Sequence, residues 1–372
     1  MIMIDNIIFS IQKSGGVSVV WYEFIKRCLE SPLYNFRFFE GIDKAKNENI
    51  FRNQLSINYN QVVIDDSKLP IKIKRYLNPK LKIKNDYIFH STYYRTSRDK
   101  KAINIVTVHD FTYEICKKNV IKGFLHKLQK KRALQKADYL ICISENTKKD
   151  VIRFFPKIDP EKIFIIYNGV SEEYYPIPNL QNSSTPYKHM SYIVFIGSRE
   201  TYKQYDLALK SVANTKLNFL IIGGGRLSKK EQKDLDQLIG PERYRQEVNV
   251  SNKRLNEIYN SAYCLLYPSV YEGFGIPIIE AQSSGCPVIA YNGSSIPEII
   301  GDLSLTFNEL STQAIVEKIS MLRDDKLRED QIKKGLLNSK RFSWDKTFRE
   351  TLEIYKTVIK EHNSIENKAI ME

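Results

Sequence analysis

The apolar positions of this 372-residue chain fall into short runs, separated by polar loops and by stretches with helical spacing. In the first half the runs "IDNIIFS" (4–10), "FRFFE" (36–40), "YIFHS" (87–91), "NIVTVHD" (104–110), "YLICIS" (139–144) and "IFIIYNG" (163–169) read as strands. The segment "VSVVWYEFIKRCLES" (17–31) reads as a helix after the loop "QKSGG". A second helix over 121–137 sets Leu125, Leu128 and Ala133 among Lys and Arg. A second array follows, with strands at 192–198, 217–225, 263–269 and 287–292 and helices at 205–215 and from Pro277. Strands alternating with helices build parallel sheets. Short, nearly all-apolar strands suit sheets covered on both faces.

Between the arrays, 171–190 holds three Pro around a Ser-rich centre and reads as a linker. The expectation is an α/β chain with two facing Rossmann-like domains, 1–172 and 191–344, joined by a linker at 173–190. A ligand cleft is expected between them, because open α/β sheets bind ligands beyond their strands' carboxyl ends. Near the C-terminus, Trp344, Phe348, Leu352, Tyr355 and Ile359 recur at spacings of 4, 4, 3 and 4, so they share one helix face.

Composition narrows the class. With 42% hydrophobic and 27% charged residues the chain is globular. Five scattered Cys without a CxxC pair argue against a disulfide framework and a zinc ribbon, and suit a reducing cytoplasm. No apolar run reaches the ~18 residues of a membrane span, and the N-terminus lacks signal-peptide features. The net charge of +14 is uneven: residues 51–150 sum to +13, and the rest is nearly neutral. Either a polyanionic partner or a solvated Lys-rich face accounts for that.

The densest chemistry lies in "YPSVYEGFGIPIIEAQSSGCPVIA" (267–290). Gly273 and Gly275 let the backbone approach a ligand closely. Together with Phe274 and Ile276 they lead into a helix whose N-terminal amides suit a diphosphate. Pro277 fits the first helical position, which sets Glu280 in the first turn. Carboxylates bind hydroxyls more readily than phosphate, so Glu272 and Glu280 suit a sugar and a ribose.

The spacing Glu272-x7-Glu280 around GFGIPII resembles the signature of retaining GT-B glycosyltransferases, specifically glycosyltransferase family 4, also called glycosyl transferases group 1. The resemblance extends over most of the chain, through "GSRETYKQYDLAL" (197–209), "LIIGGG" (220–225), "IIYNGV" (165–170) and "TVHDFTYE" (107–114). It implies transfer of a sugar from a nucleotide diphosphate to a hydroxyl, with retained configuration. Glu280 would hold the ribose and Glu272 the transferred sugar, while Arg199 and Lys203 stabilise the leaving phosphate. Gly15, Gly16, Gly223 and Gly224 would approach the donor, and His109 would stand near the transferred sugar. On the acceptor side Asp110 either orients that imidazole or caps the next turn. His90, Tyr93 and Arg95, from "FHSTYYR", line the acceptor, or the tyrosines only pack. The resemblance also rejoins the C-terminal helix, 345–365, to the first domain.

No cofactor and no metal are expected. Asp234-Leu235-Asp236 sits in a charged helical pattern, and the five His contain no H-x-x-x-H. The implied partners are a nucleotide-sugar donor and a glycan or lipid-linked oligosaccharide acceptor. The implied process is surface-polysaccharide assembly (O-antigen, capsule or exopolysaccharide), mannosyl transfer included. Cations alternating with Leu, Ile and Phe at 68–84 and 117–136 suit an anionic membrane surface. The expected place is therefore the cytoplasm, at the inner face of the membrane. Nucleic acid is not expected, since 51–150 holds no recognisable module. A non-catalytic nucleotide-sugar-binding or nucleic-acid-binding protein is the alternative.

Overall fold

Two parallel sheets organise the chain in a computed structural model that describes residues 1–32, 34–41, 47–116, 120–178 and 187–371, with backbone only at 120–122 and 363–371. Contacts divide it into two compact units, Met1–Asn168 with Trp344–Glu372, and Gly169–Ser343.

The first unit holds strands β1 (Ile2–Asp5), β2 (Phe36–Glu40), β3 (Val62–Ile64), β4 (Tyr87–Ser91), β5 (Ala102–Val108), β6 (Tyr139–Cys142) and β7 (Ile163–Ile165), in the order β3-β2-β1-β4-β5-β6-β7. Every residue of β1 and β4 is buried, as expected of central parallel strands. Ile4 pairs with Phe38 on one side and His90 on the other. The chain order reverses between β1 and β4, and a crevice opens at such a point beyond the carboxyl ends.

The first strand is shorter than the apolar run suggests. It stops at Asp5, and Ile7–Ile11 forms a helical turn. The Asn6 N–H donates to the Phe39 carbonyl at 2.8 Å, and the Ile8 N–H to Thr92 Oγ1 at 3.0 Å. Asp5 and Asn6 interrupt the apolar run where the strand ends, and both are buried.

The second unit holds β8 (Tyr192–Ile196), β9 (Asn218–Ile222), β10 (Tyr244–Glu247), β11 (Cys264–Tyr267), β12 (Val288–Tyr291) and β13 (Thr306–Phe307), in the order β10-β9-β8-β11-β12-β13. Its order reverses between β8 and β11. The segment read as a linker is bound to this unit through Tyr174–Ile177. Asn252, Asn256 and Asn260 share one face of the helix Asn252–Ser261. Their side-chain oxygens accept from the Tyr174 hydroxyl, the Tyr175 N–H and the Ile177 N–H at 3.2, 3.1 and 2.7 Å. Residues 179–186 of the expected linker lie outside the described residues.

The helix Trp344–Met371 belongs to the first unit. Leu352, Tyr355 and Val358 enter that unit's core, with Phe348 and Ile359 packed against it. The Tyr355 hydroxyl lies 2.5 Å from His90 Nδ1, and Thr107 Oγ1 lies 2.8 Å from His90 Nε2.

The helix Val120–Lys136 keeps the expected face only in part: Ala133 is buried, Leu128 half-buried and Leu125 exposed. Phe124 and Leu125 are exposed, whereas His126, Gln129 and Lys130 are buried. Lys130 donates to the Asp110 carbonyl and to Glu114, each at 2.8 Å, and Gln129 donates to the Arg75 carbonyl at 2.5 Å. Backbone oxygens and a carboxylate inside the unit thus draw in these polar residues beside the buried Ala133 and Leu134, while Phe124 and Leu125 turn outward. Residues 117–119 of the basic stretch lie outside the described residues.

Burial pushes both His90 and His126 down to about 3, well below the ordinary value of 6.5. The unfolded chain therefore binds protons between pH 6.5 and 3 that the folded chain refuses. Stability contributed by the neutral rings is complete above pH 6.5 and falls as pH drops through that window, by about 1.4 kcal/mol per pH unit for each ring. The urea midpoint should decline from pH 7.5 to pH 5, and His126→Gln should flatten the decline; an unchanged slope in that variant contradicts the assignment.

Candidate active site

The carboxyl ends of β8 and β11 gather most of the residues expected to bind the donor. After β8 the chain runs through Gly197 to the single helical turn Thr201–Lys203. After β11 it passes Tyr267 and Glu272, then enters the helix Ile276–Ser283. Lys203 Nζ meets Glu272 Oε1 at 2.5 Å, with both side chains about seven-eighths buried. The ammonium also lies 3.4 Å from the Tyr267 hydroxyl and 5.3 Å from that ring's centroid. Two serines fix the loop: Ser294 Oγ accepts from the Glu272 N–H at 2.9 Å, and Ser295 Oγ donates to the Glu272 and Phe274 carbonyls at 3.0 Å.

Gly275 caps the helix with φ +101°, a left-handed conformation that favours glycine. The helix starts at Ile276, one residue earlier than expected, so Pro277 is second and Glu280 lies in the second turn. Phe274 offers its backbone alone. Its ring is buried edge-on against Phe342, with centroids 5.7 Å apart. Glu280 receives the Tyr259 hydroxyl at 3.3 Å and interacts with the Tyr174 hydroxyl as well. Burial pushes its carboxyl up to about 7, and the two hydroxyls work against that rise. Tyr174, Tyr259, Ser294 and Ser295 are contributors that the sequence did not single out.

Arg199 is engaged by acceptors of its own unit. It pairs with Glu231 and donates to the carbonyls of Gly223, Gly225 and Arg226. Gly223 and Gly224 lie in this same turn, both with positive φ. Asp234 and Asp236 ride the helix Lys229–Leu238, and Asp236 accepts from the Tyr244 hydroxyl at 2.9 Å. Among the described residues no three His, Cys, Asp or Glu side chains cluster as a metal site.

The first unit sorts its expected residues differently. His109 follows β5, buried, with no hydrogen-bond partner for Nε2. Burial pushes its ring down to about 4, so it is neutral at pH 7. Asp110 caps the next turn, accepting from the Thr112 N–H at 2.9 Å. Gly15 and Gly16 open the helix Gly16–Glu30. Tyr93 is half-buried, with the Arg75 guanidinium 5.5 Å from its ring centroid.

Two acceptor-side expectations are overturned. His90 sits in the core with both nitrogens engaged. Arg95 is 1% exposed and forks onto Asp5, 0% exposed, while also donating to the Lys74 carbonyl at 3.1 Å. The sheet brings residues 90 apart in sequence into this pair, and neither charge is free to bind a ligand. Removing one partner leaves the other charge buried. Arg95→Met should therefore cost about 3–5 kcal/mol of stability in denaturant titrations; an unchanged midpoint would restore Arg95 to the acceptor side.

Comparison with known proteins bears on the family and the fold. The family model "Glycosyl transferases group 1" matches residues 177–362, and "Glycosyltransferase Family 4" matches residues 55–174. The chain is 28% identical over 373 residues to O-antigen chain mannosyltransferase B of Escherichia coli, covering 92% of this chain and 96% of that protein. It is 26% identical over 228 residues to O-antigen chain mannosyltransferase RfbU of Salmonella typhimurium, covering 59% of this chain and 61% of that protein. Among solved structures, sucrose-phosphate synthase from Thermosynechococcus elongatus superposes with a TM-score of 0.75 at 16% identity, over 97% of this chain and 99% of that one. Anabaena Alr3699/HepE in complex with UDP-glucose superposes with a TM-score of 0.70 at 14% identity, over 96% and 99%. A single family model spans half the chain, and these likenesses in fold span nearly all of it: the chain belongs to the glycosyl transferases group 1 family and is a glycosyltransferase of the GT-B fold.

Proposed function

We propose that the protein moves a sugar, with mannose the first candidate, from a nucleoside-diphosphate donor to a hydroxyl of a glycan or lipid-linked acceptor, with retention, in surface-polysaccharide assembly. The Lys203–Glu272 contact carries the reading. Each group has a complement on a nucleotide sugar: phosphate oxygens for the ammonium, sugar hydroxyls for the carboxylate. As the bond between sugar and phosphate breaks, negative charge grows on the leaving phosphate, and a cation already in place stabilises that charge without reorganising. Gly273–Gly275 and the amides at the start of the helix add donors to the same phosphate. Glu280 takes the ribose hydroxyls, and the neutral His109 serves as a hydrogen-bonding group on the first unit. No metal is assigned to this charge balance. Retention follows a front-face route, in which the leaving phosphate accepts the acceptor's proton. The O-antigen mannosyltransferase relatives and the UDP-glucose complex of a protein with this fold support donor and process.

Two groups of exposed apolar side chains, Leu69, Ile73 and Leu77 and then Phe124 and Leu125, lie in basic segments of the first unit. That pattern supports a place at the inner face of the cytoplasmic membrane, resting on anionic lipid. Arg52, Lys74, Arg95 and Lys130 are buried, so the exposed lysines around 68–84 and 127–136 carry the attraction. Among the described residues no helix is long and apolar enough to cross a membrane.

A panel of GDP- and UDP-sugars, assayed in EDTA with NMR of the product's anomeric centre, tests the donor reading. Lys203→Met should lower turnover about 10²–10³-fold and Glu272→Ala should abolish it, whereas unchanged turnover in Glu272→Ala would sink the assignment. Vesicles rich in anionic lipid should co-sediment the protein at low salt and release it at high salt; failure to co-sediment would reduce the basic stretch to a solvated face.

A further inference from the structure

Arg75 is a half-buried cation without a counter-ion. Among the described residues its side chain has no ion pair and no hydrogen bond, and its Nε is buried. The guanidinium lies instead over two rings, 5.0 Å from the centroid of Tyr76 and 5.5 Å from that of Tyr93. Ring faces hold the planar group in place but accept none of its N–H groups in the guanidinium plane. Two more buried polar atoms in the same cluster are unpartnered, His126 Nδ1 and Gln129 Oε1, on side chains each 7% exposed. The rings of Tyr113, Tyr94 and Tyr93 surround His126, with centroids 4.2, 5.5 and 5.8 Å away. Gln129 donates to the Arg75 and Tyr94 carbonyls at 2.5 and 3.3 Å. Buried polar groups are normally paired, so three orphaned atoms in one cluster point to a partner from outside the chain.

The cluster stands beyond the carboxyl ends of β4 and β5. Tyr93 and Tyr94 follow β4, Tyr113 follows β5, and the Tyr94 hydroxyl interacts with the His109 backbone. Beside it a groove of about 290 Å³ runs between the two basic segments, lined by Tyr76, Leu77, Tyr94, Leu125, Leu128 and Gln129. That volume is close to the ~300 Å³ at which ligand pockets begin. Tyr76, Leu77 and Leu125 are exposed there, and so are Arg132 and Lys136 on the same groove. Arg75, Lys130, Arg132 and Lys136 outnumber the acids of this region, Asp110 and Glu114, and Lys130 is already bound to Glu114 at 2.8 Å. A phosphate supplies the missing acceptors for the guanidinium and for an imidazole N–H. An apolar chain on that phosphate would cover the leucines of the groove.

We propose that the acceptor is a saccharide carried on a lipid phosphate, with the phosphate held by Arg75 and His126 and the start of the apolar chain lying along Leu77, Leu125 and Leu128. Tyr76 and Tyr93 hold the guanidinium by its faces, and Gln129 Oε1 accepts from a hydroxyl of the same ligand. A glycan without the lipid phosphate leaves Arg75 unmatched, so this residue selects between the two kinds of acceptor. The proposal rests on the glycosyl acceptor proposed above.

Farnesyl phosphate below its micelle concentration, farnesol and inorganic phosphate are titrated calorimetrically into the wild type, Arg75→Met and Arg75→Lys, with melting temperatures recorded for each. The wild type should bind farnesyl phosphate at least about tenfold more tightly than either half of it. Arg75→Met should bring that affinity down to the level of farnesol, and Arg75→Lys should recover only part of it, since a point charge lacks the planar fork. The melting temperature of Arg75→Met should stay within about 4 °C of the wild type, because only contacts with ring faces are lost. Farnesyl phosphate should slow amide exchange at 73–78 and 123–133. Vesicles of phosphatidylglycerol should co-sediment Arg75→Met as well as they do the wild type. The proposal is overturned if farnesol binds as tightly as farnesyl phosphate, if Arg75→Met keeps the wild-type affinity, or if exchange slows only elsewhere. Loss of vesicle binding in Arg75→Met overturns it too, because the site then takes a membrane lipid. A wild type that binds farnesyl phosphate but no UDP- or GDP-sugar overturns the donor reading instead.

Discussion

A charge withdrawn from water needs a partner, and that requirement arranges much of what matters in this protein. At and beyond the carboxyl ends of its strands, ionisable residues 12 to 90 positions apart neutralise one another in pairs. Asp5 holds Arg95, Glu40 holds Arg52, Glu114 holds Lys130, Glu231 holds Arg199 and Glu272 holds Lys203. Each pair ties a loop that leaves one strand to an element elsewhere in its unit. These pairs hold the loops beyond the strands together with buried aromatic side chains such as Tyr94, Phe111 and Phe274. The parallel sheet supplies the geometry, since all its strands end on one side and each must be followed by a crossing connection.

The pairs differ in what they leave available. Arg95 and Asp5 are shut away on both sides, and their contribution is to stability. Lys203 and Glu272 remain about one-eighth exposed on a loop with left-handed glycine, in a position from which either can be drawn to a ligand. Arg199 lies between these cases. Its guanidinium is held by a carboxylate and by backbone oxygens of the turn it braces.

What could be read in the sequence follows from this. The central strands were legible because burial on both faces leaves contiguous apolar runs. The edge strands β3, β10 and β13 were not: "YRQE" carries no apolar run, and β13 is two residues long. The donor segment from Glu272 to Glu280 was legible because its chemistry is contiguous. The partners of Arg95 and Arg199 are 90 and 32 residues away, and the sheet alone brings them together. Periodicity was incomplete at Val120–Lys136, where Ala133 is buried but buried oxygens also bring His126, Gln129 and Lys130 to the inner face. Pairing across a fold leaves no periodic trace.

The contact between Lys203 and Glu272 also bears on how an empty site chooses among small molecules. For the donor proposed here, a nucleoside diphosphate alone takes the ammonium and strands the carboxylate beside new negative charge. A free sugar occupies the carboxylate and leaves the ammonium without a counter-ion. Only the intact nucleotide sugar replaces both halves of the contact at once. After transfer the carboxylate is stranded again, and the pull of Glu272 on Lys203 works to expel the spent nucleotide. The same 2.5 Å contact would then act as a gatekeeper against incomplete ligands and as a spring for product departure.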